Sequence, residues 1–359
     1  MAQLRLRTGF EIELLAPRGS DRGALAGELA RRCAGSVRAV WHHDSEPSLV
    51  PGLGRFLHLT RGYEVLEAGG APLCTLVDDI TLVDDLDQQA RPAPGWYRVL
   101  TDDARLLRLL AARCDAGADV DAVLDPVAAL WDAELQRFGD IIRLDDASGA
   151  TIALAAPLGG ERERPCEIVT PPLVTGHAAA LERLLRAARD LQFTVPQEAA
   201  VHLHYDGGPF RSAAALTNVV RLFGWWRPAL HQLLETNPAC RRLAELPPQL
   251  LTAVEGSPSF AQLREAATAG GLTKFFDVNL TQLFADKPLR DTLEVRILPG
   301  SIDVGEIVRR AALVEQLLGR CLDPAPLPAP PGDTATAVGA LLAPTGAHHP
   351  SAPGQLQPS

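Results

Sequence analysis

The chain has 359 residues, 47% of them hydrophobic, enough for one large core or two. A formal net charge of −10, from 34 Lys and Arg against 44 Asp and Glu, argues against a general nucleic-acid or anionic-membrane surface. Six scattered cysteines, no Cys-x-x-Cys, no signal-like apolar start and no run of ~18 apolar residues together read as a cytoplasmic protein with reduced thiols.

Residues 5–16 alternate as a strand does. In "GFEIELLAP" the period of two sends Phe10, Ile12 and Leu14 to a core and Glu11 and Glu13 to the other face. "GSDRGALAGELARRCAG" predicts a helix with Ser20 or Asp21 as N-cap and Gly35 as its stop. Residues 36–87 read as strand-like runs broken by turns, "RFLHLTRGYEVLEA" and then "PLCTLVDDITLVDDL", with loop chemistry in "RPAPG" at 91–95. His42, His43 and Asp44 of "WHHDSEP" read as loop residues. Residues 102–136 show amphipathic helical spacing in "DDARLLRLLAARC" and "PVAALWDAELQRF".

Strands resume at "DIIRLDD", "ATIALAAP" and "PCEIVTPPL", where Pro171 and Pro172 set the chain direction after Glu167. "GHAAALERLLRAARDLQ" predicts a helix and "AAVHLHYD" a strand. A helix-rich block covers about 211–268, with Trp225 and Trp226 as packing residues. "LTKFFDVNLT" and "DTLEVRIL" predict two last strands before a helix at about 303–321. Beyond Cys321, Pro, Ala, Gly and Ser dominate, which predicts a disordered tail over 323–359 and discounts His348 and His349 as ligands. The expected fold class is α+β, an antiparallel or mixed sheet with helices packed on one face.

One spacing recurs. "EIE" places Glu11 beside Glu13, "HLH" places His202 beside His204, and "EVR" places Glu294 beside Arg296, each at i, i+2 of a strand-like run. Glu167 adds a single carboxylate at the end of another. A wet sheet face alternates apolar and polar residues anyway, but it usually draws on Lys, Thr, Ser and Gln. This one collects carboxylates, imidazoles and a guanidinium. Such oxygen-rich donor sets suit Mg²⁺ or Mn²⁺, and an arginine beside them supplies charge to a phosphoryl group.

"GFEIEL", "EIVTPPL", "AVHLHYD", "KFFDVNL" and "TLEVRIL", in that order, resemble the amidoligase family over roughly residues 5–322. The resemblance implies a curved, mainly antiparallel sheet of the glutamine synthetase type, whose concave face holds ATP and two or three Mg²⁺ or Mn²⁺ ions. It implies an ATP-dependent ligase that phosphorylates a small-molecule or peptide carboxylate and lets an amine attack the acyl phosphate. Carried onto this chain, Glu11, Glu13, Glu167 and Glu294 match metal-binding carboxylates. His202 or His204 matches a metal- or nucleotide-contacting histidine, and Arg296 the arginine that meets phosphate oxygens. Lys274 and Asn279 match positions that contact nucleotide or substrate. Asp79 resembles an acidic position before a hydroxyl residue, and with a histidine it is a candidate acceptor for the amine's proton.

About eighty residues separate "DDIT" from "CEIVTPPL", a longer interval than in many family members, so a mainly helical insertion is expected at about 91–136. The expected layout is a catalytic domain over 1–322 and the tail beyond it. Relatives often assemble, so a homo-oligomer is an expected state; nucleic acid and membrane are not expected partners. Two other readings stand beside ligation. A metal-dependent hydrolase can use His-x-His with remote carboxylates, and a nucleotide-binding relative can lack catalysis.

Overall fold

The structure, a computed structural model, describes residues 4–47, 55–288 and 290–343. Among them, twelve strands form one open sheet. In chain order they are β1 (Thr8–Leu15), β2 (Ser36–Pro47), β3 (Arg55–Leu66), β4 (Pro72–Val77), β5 (Tyr97–Thr101), β6 (Leu135–Phe138), β7 (Ile141–Asp145), β8 (Thr151–Pro157), β9 (Pro165–Val169), β10 (Ala200–Asp206), β11 (Val278–Asn279) and β12 (Thr292–Pro299). Their order across the sheet is β11-β12-β10-β1-β9-β4-β3-β5-β8-β7-β6, and β2 pairs with the other edge of β3. Every ladder is antiparallel, so the α+β reading holds.

Helices α1 (Arg22–Arg32), α2 (Ala104–Arg113), α3 (Asp125–Ala128), α4 (His177–Asp190), α5 (Ala213–Gly224), α6 (Arg227–Leu234), α7 (Pro248–Ala253), α8 (Phe260–Ala269), α9 (Thr281–Phe284), α10 (Val304–Cys321) and α11 (Thr334–Leu342) accompany the sheet. Asp21 caps α1 by accepting from the Ala24 amide, one of the two expected N-caps. Phe10, Ile12 and Leu14 are fully buried and share one core with Leu25 and Leu29 of α1, Leu181 and Leu184 of α4, and Val314 and Leu318 of α10. Burial of these alternating strand residues fixes which face is left for Glu11 and Glu13. Among the described residues, no helix is long and apolar enough to cross a membrane.

Residues 91–136 differ from the helical expectation. The segment contributes β5 to the sheet, α2 as a full helix and α3 as a single turn. "PVAALWDAELQRF" stops being helical after Ala128 because its next apolar residues find no core: Leu130 and Trp131 stay about half exposed, and Asp132 turns with a φ of 50°. Leu135–Phe138 then pairs with β7. Leu107, Leu110, Val123 and Val127 build a second core against Leu59, Val99 and Ile142.

Three further expectations change. "WHHDSEP" is not a loop but the end of β2, paired residue by residue with β3. "LTKFFDVNLT" supplies only Val278 and Asn279 to the sheet, because Phe276 bridges to Ala244 instead. The tail is not disordered throughout: Asp333 caps α11, whose Ala337 and Leu341 are buried against the main core. The Pro-rich stretch leading there is tied down by Asn218, whose amide donates to the carbonyls of Asp323 and Ala325, and by the Trp226 indole, which donates to Pro328. His348 and His349 lie outside the described residues.

Candidate active site

Register assembles the site. Directly opposed residues of antiparallel neighbours share a face, and Glu11 opposes His202, Glu13 opposes Glu167, and His204 opposes Glu294. Asn279 opposes Glu294 from the outer strand. Residues far apart in the chain thus form a patch from β9, β1, β10, β12 and β11. A bulge in the β10–β12 ladder lets both Ile297 and Leu298 enter the core while Arg296 stays with Glu294 on the polar face.

His202 sits at the centre. Its Nδ1 lies 3.4 Å from Glu11 Oε2 and 3.8 Å from both Glu167 Oε1 and Glu294 Oε1, while Nε2 lies 3.3 Å from Glu13 Oε1. His204 Nε2 is 3.1 Å from Glu11 Oε1, and its Nδ1 is 3.2 Å from the Thr292 hydroxyl. Glu13 is anchored through its other oxygen, which accepts from the Ala200 amide at 2.7 Å. Arg296 donates to Glu294 Oε1 at 2.5 Å, and Asn279 donates to Glu294 Oε2 at 2.8 Å. The Asn279 carbonyl accepts from the Thr281 amide and hydroxyl, so both its ends are engaged in orienting Glu294.

Two donor sets have ligand atoms within 4.8 Å of one another: Glu11, Glu167 and His202, and Glu11, His204 and Glu294. Glu11 belongs to both. The span matches donors on opposite sides of a divalent ion, roughly 4.2 Å apart for Mg²⁺–O bonds near 2.1 Å. The electrostatics agree. Burial, then Asp79, push the Glu13 carboxyl well above its usual range. Burial, then Glu11, Asp79 and Glu13, do the same to Glu167. Against burial, His204 and His202 hold Glu11 well below it, and Arg296 holds Glu294 below it. Burial lowers His202, which keeps the neutral imidazole available as a ligand. His204 Nε2 is buried with no hydrogen-bond partner although it faces Glu11 closely. A cation between such donors would satisfy that nitrogen and relieve the crowded carboxylates, so the residues fit a divalent ion.

The paired aspartates of "LVDDIT" separate. Asp78 is buried against Arg162 and Arg22, a structural ion cluster. Asp79 lines the cavity over the patch, its carboxylate accepting from the Thr81 amide and hydroxyl. Glu198 holds the following turn by accepting from the Val83 and Asp84 amides. Lys274 also lines the cavity, half exposed, 3.7 Å from Asp44.

This polar cavity, about 320 Å³, includes residues the sequence reading passed over: His42, Asp44, Arg242 and Arg290. His42 and Asp44 oppose Thr60 and His58, which carries the ladder's polar face onto β2. Their i, i+2 spacing is the signal seen elsewhere in the chain. Arg290 donates to Glu11 Oε1 at 2.9 Å, and Arg242 comes from a loop; neither carries a sequence signal. A second hollow of about 490 Å³ adjoins the first, sharing Glu11, His204, Arg290 and Thr292 with it. Val169, Pro171, Pro172 and Cys74 give it apolar walls. Gly9 also lines it.

An open antiparallel sheet that gathers carboxylates, imidazoles and arginine on one face defines an α+β protein with a candidate divalent-metal centre. The family described as "Putative amidoligase enzyme" matches residues 4–318, and the chain belongs to this amidoligase family. No curated protein and no solved structure matches it.

Proposed function

We propose that the protein is an ATP-dependent carboxylate–amine ligase that forms an amide, or isopeptide, bond through an acyl phosphate on a fold of the glutamine synthetase type. The observation that carries this reading is the joint placement of Glu11, Glu13, Glu167, Glu294, His202 and His204 around one point with Arg296 beside them. A metal-dependent hydrolase could use the same carboxylates and imidazoles; the buried arginine beside them favours a reaction in which charge develops on a transferring phosphoryl group.

In this reading Glu11, Glu13, Glu167, Glu294 and the two histidines hold two or three Mg²⁺ or Mn²⁺ ions. When bound, those ions supply Lewis-acid charge to the phosphate oxygens. The hollow walled by Val169, Pro171 and Pro172 receives the nucleoside, with Arg290 at its junction with the acidic patch. Arg296 takes up charge on the phosphoryl group as it moves to the substrate carboxylate, turning an oxide leaving group into phosphate. Since His204 belongs to a donor set, we assign the amine's proton to Asp79, held in place by Thr81. Asn279 serves by fixing Glu294.

The test is incubation with ATP, Mg²⁺ and pooled carboxylates and amines. ADP release that requires both co-substrates supports ligation; cleavage of a substrate without nucleotide supports a hydrolase. Glu13→Gln and Arg296→Ala are expected to cut turnover by about 100- to 1000-fold with the far-UV spectrum unchanged. Near wild-type rates in either variant remove the role given to that residue.

A further inference from the structure

Glu294 is oriented from a strand too short to hold itself. Asn279, which donates to Glu294 Oε2, stands on β11, a strand of two residues that among the described residues pairs only with β12, at the sheet edge. So short a pairing at an open edge frays readily, yet a ligand carboxylate needs its orienting partner fixed. The residue just before β11 is Asp277. Its side chain has no part in the proposed chemistry: it is 1% exposed and lines neither hollow.

Helix α6 grips that carboxylate. Arg227 donates to Oδ2 from Nε at 2.7 Å and to Oδ1 from Nη2 at 3.3 Å, and His231 Nε2, one helical turn on, lies 2.5 Å from Oδ2. The backbone of the same residue grips the site. Its carbonyl accepts from the Arg296 amide at 3.0 Å, and its amide donates to the Ala244 carbonyl at 3.0 Å. Arg296 and Asn279 donate to the two oxygens of Glu294, so both donors lead back to Asp277, one by a backbone bond and one two residues along the chain. The support is firm, since Ala229, Leu230 and Leu234 of α6 lie in the main core and Trp226 at its start donates to the Pro328 carbonyl. Thr236, just past its end, donates to the Ile297 carbonyl of β12 at 2.8 Å. Burying a carboxylate is costly even when it is paired. An apolar contact would join strand to helix without that cost, but also without a directional hold.

We propose that Asp277 is a positioning residue: clasped by Arg227 and His231, it anchors β11 so that Asn279 and Arg296 hold the Glu294 carboxylate in the geometry of an ion ligand. Asp277 itself touches no ion, nucleotide or substrate. The inference rests on the reading of Glu294 as an ion ligand and deepens it, because it says which ion depends on α6. Glu294 belongs to the donor set with Glu11 and His204, whereas the set of Glu11, Glu167 and His202 draws nothing from β11 or β12.

The experiment is calorimetric titration of Mn²⁺ into the full chain, comparing wild type, Asp277→Asn and Arg227→Gln. The Arg227 side chain is 28% exposed, so its replacement is the milder perturbation and carries the test if Asp277→Asn does not fold. Wild type is expected to take at least two ions. Each variant is expected to hold one of them about 10- to 100-fold more weakly, with the others at wild-type affinity. In a Glu294→Gln background, where that site is already damaged, Asp277→Asn should leave the ion held with Glu167 and His202 unchanged. A general loosening of the fold would weaken that ion as well. Equal weakening of all ions, further weakening of the Glu167 ion in the Glu294→Gln background, or wild-type affinities in both variants overturns the proposal alone. A wild-type chain that takes fewer than two ions removes the reading of the donor sets, and the inference falls with it.

Discussion

Glu11 is the residue on which both donor sets depend, and Glu11→Gln tests that dependence most directly. Its two oxygens face different imidazoles, Oε1 toward His204 at 3.1 Å and Oε2 toward His202 at 3.4 Å, so an amide there removes charge from both sets. Glu167→Gln and Glu294→Gln each touch one set. Loss of a supporting group costs a metal site about 10- to 100-fold in affinity, and a direct ligand belongs at the upper end of that range. At a Mn²⁺ concentration about 100 times the wild-type Kd, one ion stabilises the fold by about 2.7 kcal/mol; a site weakened 100-fold retains about 0.4 kcal/mol. The difference, about 2.3 kcal/mol, corresponds to roughly 3 °C for a chain of 359 residues. Wild type should therefore lose about 6 °C of metal-induced shift in Glu11→Gln and about 3 °C in each single-set variant. The assay is differential scanning fluorimetry with and without EDTA, with stoichiometry from calorimetry. Each variant is compared with its own metal-free state, because Glu11 also supports the histidines. A Glu11→Gln protein that still takes two ions with wild-type affinity refutes the shared-ligand geometry.

Two other outcomes follow from the structure. Glu167 has its carboxyl pushed up by burial and by Glu11, Asp79 and Glu13, so in EDTA it favours the protonated folded state. Its cost is absent below the ordinary carboxylate range near pH 4.3 and grows as pH rises through the raised folded value. Metal-free Glu167→Gln should therefore match wild type in Tm near pH 4 and exceed it increasingly toward pH 8; a difference that shrinks with rising pH contradicts the assigned crowding. Truncation after Leu322 removes the buried Leu327, Ala337 and Leu341, the Asp323 and Ala325 carbonyls that accept from Asn218, and the Pro328 carbonyl that accepts from Trp226. At about 1.5–3 kcal/mol per buried leucine, the shortened chain should lose some 3–6 kcal/mol in urea unfolding; an unchanged midpoint shows that this segment does not support the core.

Much of the site was readable because a period of two has only one structural meaning on a strand. Glu11 and Glu13, His202 and His204, and Glu294 and Arg296 stand where alternation sends them, opposite the buried Phe10, Ile12, Leu203 and Val295. The same spacing in His42 and Asp44 carried equal information. The charged, proline-flanked end of "WHHDSEP" has the composition of a loop, but pairing to β3 along its length overrides that preference. Arg242 and Arg290 lie outside periodic segments, and only the folding of loops brings them to the cavity. The helix expected over "PVAALWDAELQRF" failed for the converse reason. Its apolar spacing was real, but Leu130 and Trp131 have no second surface to pack on. In the tail, proline and alanine richness hid a capped helix whose Leu341 finds the main core.

Register adds what no single strand displays. A one-residue slip between β1 and β10 would send both histidines into the apolar core and break every donor set at once. Such a slip is opposed by Phe10, Ile12, Leu203 and Tyr205, all fully buried, and by the Tyr205 hydroxyl, which donates to the Ala311 carbonyl of α10. The metal-free centre works against the fold through the burial of Glu13 and Glu167, while the hydrophobic face enforces the pairing that crowds them. The carboxylates therefore meet because the core on the reverse side leaves them no other register, and that crowding is what a divalent ion would relieve.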